Sequence, residues 1–263
     1  MKIGLVQAAS HQDVFENIKI AEQYLAAAAE TGCKVLCFPE CFLTGYVPEE
    51  AAERSLEKNH EALERLSLLA QTFRIDLLVG FMEKQAEVYY ITHGIFMSTG
   101  EVKYYHKTHL GEKEEKYFAA GQELEVFGLS CGLKVGFQIC VETHFPEITQ
   151  TLSLKGAEVV FAPHAVPKVA GSRKEIWSKI IPARSYDNRV YMACCNLGED
   201  EKFSGGCMVT DPRGDVVAQY FGESEQFLTA EIAPEEVSKY HREDAGKRYR
   251  YYPAKRRAEL YGE

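Results

Sequence analysis

Ile75-Asp-Leu-Leu-Val-Gly-Phe-Met82 holds a single polar side chain in eight residues and shows no alternation of apolar and polar positions. A strand with one wet face alternates with a period of two, so a continuous apolar run belongs to a strand covered on both faces. Just upstream, Ala62, Leu63, Leu66, Leu69, Ala70 and Phe73 recur at helical spacing. Downstream, two strand-like segments, Val88 to Met97 and Glu101 to His106, are joined by Ser98-Thr99-Gly100, a hairpin turn in composition.

The same alternation extends both ways. Met1 to Ser10 reads as a first strand, too short in its apolar part for a signal peptide. Asp13 with Glu16 resembles a capping box, and Ile18, Ala21, Leu25 and Ala28 continue a helix to the stop at Gly32. A buried strand from Lys34 to Phe38 meets Pro39, which fixes an extended exit and leaves Glu40 just past a strand end. Lys107 to Gly121 is too irregular for a strand and is expected to be a loop or lid. Leu133 to Ile139 is again a buried strand, stopping at Cys140. Pro146 opens a helix through Ile148, Leu152 and Leu154, Ala157 to Ala162 is a strand, and a long helix spans Trp177 to Asn188. The strands Val190 to Cys195, Gly206 to Thr210, Asp215 to Tyr220 and Phe227 to Ile232 follow, with a turn at Asp211-Pro-Arg-Gly214. Residues 1–263 are therefore expected to form one α/β domain with helices on the outer faces of its sheets and functional residues at strand ends.

Composition narrows the function. With 30 Lys+Arg against 39 Asp+Glu the formal charge is −9, which disfavours a nucleic-acid groove. No apolar run reaches the roughly 18 residues of a membrane span, and a cytoplasmic location is expected. The eight cysteines are expected to be free thiols, since a chain of this length and apolar content needs no disulfide staple. Cys33, Cys37 and Cys41 would share a face on a helix, but Lys34 to Pro39 is a strand, so no metal site is expected there. Cys194-Cys195 is expected to be core or pocket wall.

Three residues at strand ends or in loops have the types that a thiol-based amide-cleaving enzyme needs: Glu40, Lys107 and Cys140. A thiol with a pKa near about 8.5 is mostly protonated at neutral pH, so a carboxylate base must generate the nucleophile. A cation then stabilises the charge that builds on the attacked group. Each residue type is common in bland surroundings; their contexts are not. Phe38-Pro39-Glu40, Tyr105-His-Lys107-Thr-His-Leu110 and Gly136-Phe-Gln-Ile-Cys140-Val-Glu-Thr-His-Phe-Pro-Glu147 occur in that order.

This order and context resemble the nitrilase superfamily of carbon-nitrogen hydrolases, from Gln7 to the closing segment Arg256-Arg257-Ala-Glu-Leu-Tyr261. The resemblance implies a single-domain αββα four-layer sandwich, a catalytic triad on Glu40, Lys107 and Cys140, and no cofactor or metal. It also implies a further carboxylate seven residues after Lys107 and seven before Gly121, which is Glu114, with Glu112 and Glu115 as decoys. Phe118-Ala-Ala-Gly121 fits the family's Phe-x-x-Gly, though the family more often carries Pro before the glycine. Glu142 matches an acidic position expected to pair with an arginine, while His144 and Pro146 are expected to shape a helix start. His106 and His109 could mimic a Cys-His site but read as hydrogen-bonding or surface groups. Val141 through its backbone N–H, His164 and Asn196 are the expected substrate contacts.

The implied reaction is hydrolysis of a small linear amide or carbamoyl amide through a Cys140 thioester, releasing ammonia. Alternatives are a nitrilase on the same fold and a catalytically silent interaction protein, the latter disfavoured by an intact triad. The arginines that carbamoyl-amino-acid hydrolases carry soon after the cysteine are replaced here by Val141, Glu142 and Thr143, and the branch with Trp after the cysteine is not matched. Arg173, Lys174 and Tyr46 remain able to reach a pocket from elsewhere. The segment 242–263 gathers seven Lys/Arg and four tyrosines between Arg242 and Tyr261. Tyr and Arg are enriched at interface anchors, so a homodimer or larger even homo-oligomer with this segment at the interface is expected.

Overall fold

Apolar strands covered on both faces need partners on both sides, and the chain supplies them with two sheets that share one core. A computed structural model describes residues 1–198, 202–222, 224–241 and 251–260. The first half forms β1 (Lys2–Gln7), α1 (Val14–Thr31), β2 (Val35–Cys37), α2 (Ala51–Arg54), α3 (Glu61–Phe73), β3 (Asp76–Gln85), β4 (Val88–Phe96) and β5 (Val102–His106). The second half forms β6 (Phe127–Gly128), β7 (Lys134–Phe137), α4 (Pro146–Leu154), β8 (Val159–His164), α5 (Arg173–Asn188), β9 (Tyr191–Asn196), β10 (Cys207–Thr210), β11 (Val216–Tyr220), β12 (Gln226–Glu231) and α6 (Pro234–Tyr240).

One sheet runs β12-β1-β2-β3-β4-β5 and the other β11-β10-β9-β8-β7-β6. In each, three central strands are parallel, β1 to β3 and β7 to β9, and the flanking strands are antiparallel. Strand β12 crosses back to pair with β1, Leu228 opposite Leu5, and so forms one edge of the first sheet.

Leu78 and Leu77 explain the apolar run. Leu78 packs with Leu5 and Cys37 against Phe137, Phe161 and Ala193 of the other sheet. Leu77 and Val79 turn outward to Ile18 and Leu25 of α1 and Leu66 of α3. On the far side Val160 and Met192 meet Leu152 of α4 and Trp177 of α5. The result is the four-layer α, β, β, α arrangement, with each fully buried aliphatic side chain stabilising it by about 1.5–3 kcal/mol.

Local differences have local causes. Asp13 caps α1 alone by accepting from the Phe15 N–H, while Glu16 pairs with Lys19 instead of closing a box. Helix α5 starts four residues before Trp177 because Ser172 accepts from the Glu175 N–H; the polar residues Arg173 to Glu175 hide that turn from an apolar pattern. Strand β7 stops at Phe137, and Cys140 to His144 form a 3-10 turn.

All eight cysteines are unbridged. Cys33 lies in the outer core with α1, and Cys37 and Cys41 lie in the core between the sheets. No described helix is long and apolar enough to cross a membrane. Of the basic, aromatic C-terminal segment, Arg242, Lys247, Arg248, Tyr249, Arg250 and Tyr261 lie outside the described residues. Its described part rests on its own chain: the Tyr251 hydroxyl is 2.7 Å from the Ser153 hydroxyl on α4, and the Arg189 guanidinium lies 5.9 Å from the centre of the Tyr252 ring.

Candidate active site

The two sheets bring their strand ends together. Glu40 follows β2 after the Pro39 exit, Lys107 directly follows β5, Glu114 opens a 3-10 turn, and Cys140 opens the turn that follows β7. The Lys107 ammonium donates to Glu40 Oε1 at 2.7 Å and to Glu114 Oε1 at 2.8 Å. The Tyr46 hydroxyl donates to the same Glu114 oxygen at 2.8 Å, and the Gly111 N–H donates to Glu114 Oε2 at 2.6 Å. Glu40, Lys107 and Glu114 are all at most 2% exposed, whereas Glu112 and Glu115 face outward.

Burial sets the electrostatics. It raises Glu40 to about 7; the Lys107 charge opposes the rise and Glu114 adds to it. Burial alone would lower Lys107, but the charges on Glu40, Cys140 and Glu114 outweigh it and hold the ammonium well above its ordinary value. Burial, then the Glu40 charge, raises the Cys140 thiol, with Lys107 acting the other way. The resting site is thus a protonated thiol and an ammonium beside a carboxyl poised near neutrality. Glu40 Oε2 is buried with no hydrogen-bond partner among the described residues, and the Cys140 thiol is a neighbour that helps hold that carboxyl ionised.

Cys140 has φ of 54°, left-handed backbone that costs a non-glycine residue about 1–3 kcal/mol. Glu142 holds it there. One of its oxygens accepts from the Ile139 N–H at 2.6 Å, and the other accepts from the Thr108 N–H at 2.7 Å and the Thr108 hydroxyl at 2.6 Å. The buried Tyr105 hydroxyl donates to it as well, at 2.9 Å. The expected arginine partner of Glu142 is therefore replaced by backbone and hydroxyl donors from the Cys140 turn, the Lys107 loop and Tyr105. Burial raises its pKa and these donors counter the rise.

Cys140 also forms part of the wall of a cavity of about 340 Å³. Val141, Val166, Ile176, Trp177 and Ile180 make its apolar surface; Thr143, His144, His164 and Arg173 supply the polar groups. Cys140 belongs to that wall and also feels the charges of Glu40, Lys107 and Glu114, so it joins the charged cluster to the cavity. Two of the expected substrate contacts, Val141 and His164, line it. Asn196 does not: its Oδ1 accepts from the Val166 N–H at 2.8 Å and its Nδ2 donates to the Gly205 carbonyl at 3.0 Å, so it holds the loop that presents Val166.

His164 Nδ1 lies 2.7 Å from the Ala162 carbonyl. A carbonyl only accepts, so Nδ1 carries the proton and Nε2 is left as an acceptor. Burial lowers its pKa to about 3, and the ring is neutral at pH 7. Pro146 does begin α4, but His144 belongs to the cavity wall. His106, at the end of β5, pairs with Glu83 of β3 at 2.9 Å and stacks on Tyr90 of β4, and His109 bonds to the neighbouring Thr108, so these rings act as hydrogen-bonding groups. Of the three side chains expected to reach a pocket, Arg173 reaches the cavity and Tyr46 reaches Glu114, while Lys174 is exposed.

Gly80 is the site residue that the sequence reading passed over. A Cβ there would lie 2.5 Å from the Cys41 nitrogen, 2.6 Å from the Pro39 oxygen and 2.9 Å from Glu40 Cα, all backbone. An isolated glycine inside an apolar strand was the available signal, since it marks a close approach of another chain segment.

Comparison with known proteins agrees with this geometry. The family model for carbon-nitrogen hydrolases matches residues 2–242. The 2-oxoglutaramate amidase of Bacillus subtilis (strain 168) is 30% identical over 224 residues, covering 82% of this chain and 84% of that protein. A glutamine-dependent NAD(+) synthetase of Thermotoga maritima is 30% identical over 271 residues and 97% of this chain, but the chain spans only 46% of that protein's length. A solved structure of a mutant amidase from Nesterenkonia sp. AN1 in complex with butyramide superposes with a TM-score of 0.85 at 27% identity, covering 100% of this chain and 96% of the other. The chain belongs to the carbon-nitrogen hydrolase family.

Proposed function

We propose that the protein hydrolyses the carbon-nitrogen bond of a small linear amide or carbamoyl amide through a Cys140 thioester and releases ammonia. The observation that carries this reading is a lysine clamped between two buried carboxylates, one of which keeps an unpartnered oxygen beside a strained cysteine. Relatives named as amidases, and the butyramide complex of one of them, support the substrate class.

In this reading Glu40 takes the thiol proton as the sulfur attacks the amide carbon, and the C–O π electrons move to oxygen. Lys107 and the Val141 N–H stabilise that oxyanion; one such donor contributes about 10² to 10³ in rate. The intermediate collapses, the C–N bond breaks, and the nitrogen leaves as ammonia with the proton that Glu40 returns. Water then gives a proton to Glu40 and attacks the thioester; the carboxylic acid product leaves and the thiol is restored. Glu114 fixes the Lys107 ammonium and its direction.

Ammonia release from a panel of small amides, ureido acids and nitriles, with Cys140→Ala as control, tests the reading. A brief substrate pulse should leave an acyl adduct on Cys140 in the mass spectrum. An adduct on another cysteine, or full activity in Cys140→Ala, would sink it, and turnover of nitriles alone would select the nitrilase alternative. The proposal includes a cytoplasmic setting, supported by eight unbridged cysteines, and no nucleic-acid partner, supported by the net charge of −9. It also includes a homodimer or larger even assembly with segment 242–263 at the interface, supported by the exposed Tyr252 within it and the exposed Tyr186 beside it.

A further inference from the structure

Glu83, near the end of β3, is fully buried, and side chains from three other segments converge on it. The Thr92 hydroxyl of β4 donates to Oε2 at 2.9 Å, and His106 Nε2 at the end of β5 lies 2.9 Å from the same oxygen. An ionised carboxylate only accepts, so Nε2 carries the proton. Lys58, between α2 and α3, brings its half-exposed ammonium to 3.3 Å from Oε1, which has no hydrogen bond among the described residues. Burial alone would raise the Glu83 carboxyl, but His106, Thr92 and Lys58 outweigh it and hold the group below its ordinary value, so it is charged. The backbone ladder already joins these strands through the same positions, Glu83 opposite Tyr90 and Thr92 opposite His106. The sheet therefore does not need a buried charge to hold together, and burying one is costly.

What the charge adds lies at the end of β5. His106 is gripped on both sides: its ring is held by Glu83 and stacked on Tyr90 with centres 4.3 Å apart, and its carbonyl lies so close to Gly121 that a Cβ there has no room. Lys107 comes next in the chain. Its N–H donates to the Ile91 carbonyl at 2.9 Å and its carbonyl accepts from the Gly121 N–H at 2.8 Å, while its ammonium reaches Glu40 and Glu114. A tilt of the strand end therefore moves the cation of the charged cluster.

We infer that Glu83 and His106 are positioning residues, whose contact at the end of β5 sets the direction from which Lys107 enters between Glu40 and Glu114 and so the charge that Cys140 feels. This rests on the amidase reading for its effect on turnover; its effect on the Cys140 thiol does not depend on that reading.

His106→Leu removes the N–H donor. It should lower kcat for an amide by about 10²-fold, the cost of an ångström's displacement at a reacting group, with KM within a few-fold. His106→Gln, whose amide can donate to Glu83, should recover most of the loss. Glu83→Gln should shift kcat in the same direction as His106→Leu, and the double variant should be little worse than His106→Leu alone, since both act through one contact. The Lys107 charge opposes the rise of both Glu40 and Cys140. Its displacement should therefore move the rise of kcat/KM with pH in His106→Leu above the value of about 7 held by Glu40 in the unmodified enzyme, a shift that lost stability alone does not produce.

Alkylation of Cys140 by iodoacetamide, followed in the mass spectrum of its peptide, reads the same geometry without turnover. At pH 7 it should slow by about tenfold in His106→Leu, as the thiolate becomes scarcer, and recover in His106→Gln. Unchanged kcat, pH profile and alkylation rate in folded His106→Leu, or equal losses in His106→Gln and His106→Leu, overturn the inference. If His106→Leu does not fold, the near-isosteric Glu83→Gln carries the test, and an unmoved pH profile and alkylation rate there overturn it. An unmodified protein that hydrolyses no amide, with Cys140 alkylation that still depends on His106, removes the amidase reading and keeps the positioning role.

Discussion

Lys107 is the residue on which the charged cluster depends, because it stands between Glu40 and Glu114 at hydrogen-bond distance from both. Lys107→Met leaves two buried carboxylates without their cation, and removing one partner of such a group costs about 3–5 kcal/mol. Turnover should vanish and the unfolding midpoint in urea should drop; restored stability without restored activity in Lys107→Met/Glu40→Gln would locate the cost in the orphaned charge. In the proposed mechanism Glu40 must be ionised to accept the thiol proton. With its pKa raised to about 7, kcat/KM should rise with pH through that value, and the rise should disappear with the residual activity of Glu40→Gln. The same shift has the opposite sign for stability. The folded state binds the proton more tightly than the unfolded chain, so this contribution is full below about pH 4.3 and is lost as pH climbs through about 7. Glu114→Gln should lower kcat by orders of magnitude while Glu112→Gln and Glu115→Gln stay within a few-fold in an ammonia assay, because only Glu114 faces inward. Equal losses at all three positions would mean the loop acts as a whole.

Among the elements, β3 does more than fill the core. Its Gly80 lets the Pro39–Cys41 backbone lie directly against the strand, which fixes where Glu40 stands. Gly80→Ala must push that backbone away. Overpacking of this kind costs about 1–3 kcal/mol, and a displacement of an ångström at a reacting group costs about 10²-fold in rate. Circular dichroism should therefore stay native while turnover falls by about two orders of magnitude; native-level activity would show that the Glu40 turn yields without consequence. The turn after β7 works in the same way from the other sheet, with Glu142 binding Ile139 and Thr108 at once so that the strained Cys140 and the Lys107 loop move as a unit.

On the scale of the whole molecule, β12, the last of the described strands, completes the first sheet, and the described part of the C-terminal segment rests on α4 and beside the end of α5. Truncation after Tyr240 removes the Tyr251 contact with Ser153 together with the exposed aromatic and basic groups. Sedimentation should then show a weakened dimer with reduced turnover, and unchanged mass and activity would return the segment to a packing role within its own subunit.

The sequence by itself determined an α/β fold with helices on the outer faces of its sheets, because covered strands and amphipathic helices are written in local apolar periodicity; the four-layer order came with the family resemblance. The sequence also placed Glu40, Lys107 and Cys140 at strand ends, where Pro39 and the ends of apolar runs mark the exits. The family resemblance, by its spacing from Lys107 and Gly121, singled out Glu114 from its neighbours. Only the tertiary structure decided the partners. Lys107 meets a carboxylate 67 positions away, Glu142 takes hydroxyl and backbone donors from a loop 34 positions away in place of an arginine, and Asn196 turns its amide to a loop and away from the cavity. The same holds for Arg173, a polar residue at a helix start whose burial, with its Nε unpartnered among the described residues, appears only when α5 is laid beside the Cys140 turn. Periodicity is a property of neighbours along the chain, whereas desolvation and charge pairing depend on which distant segments the fold brings within a few ångströms.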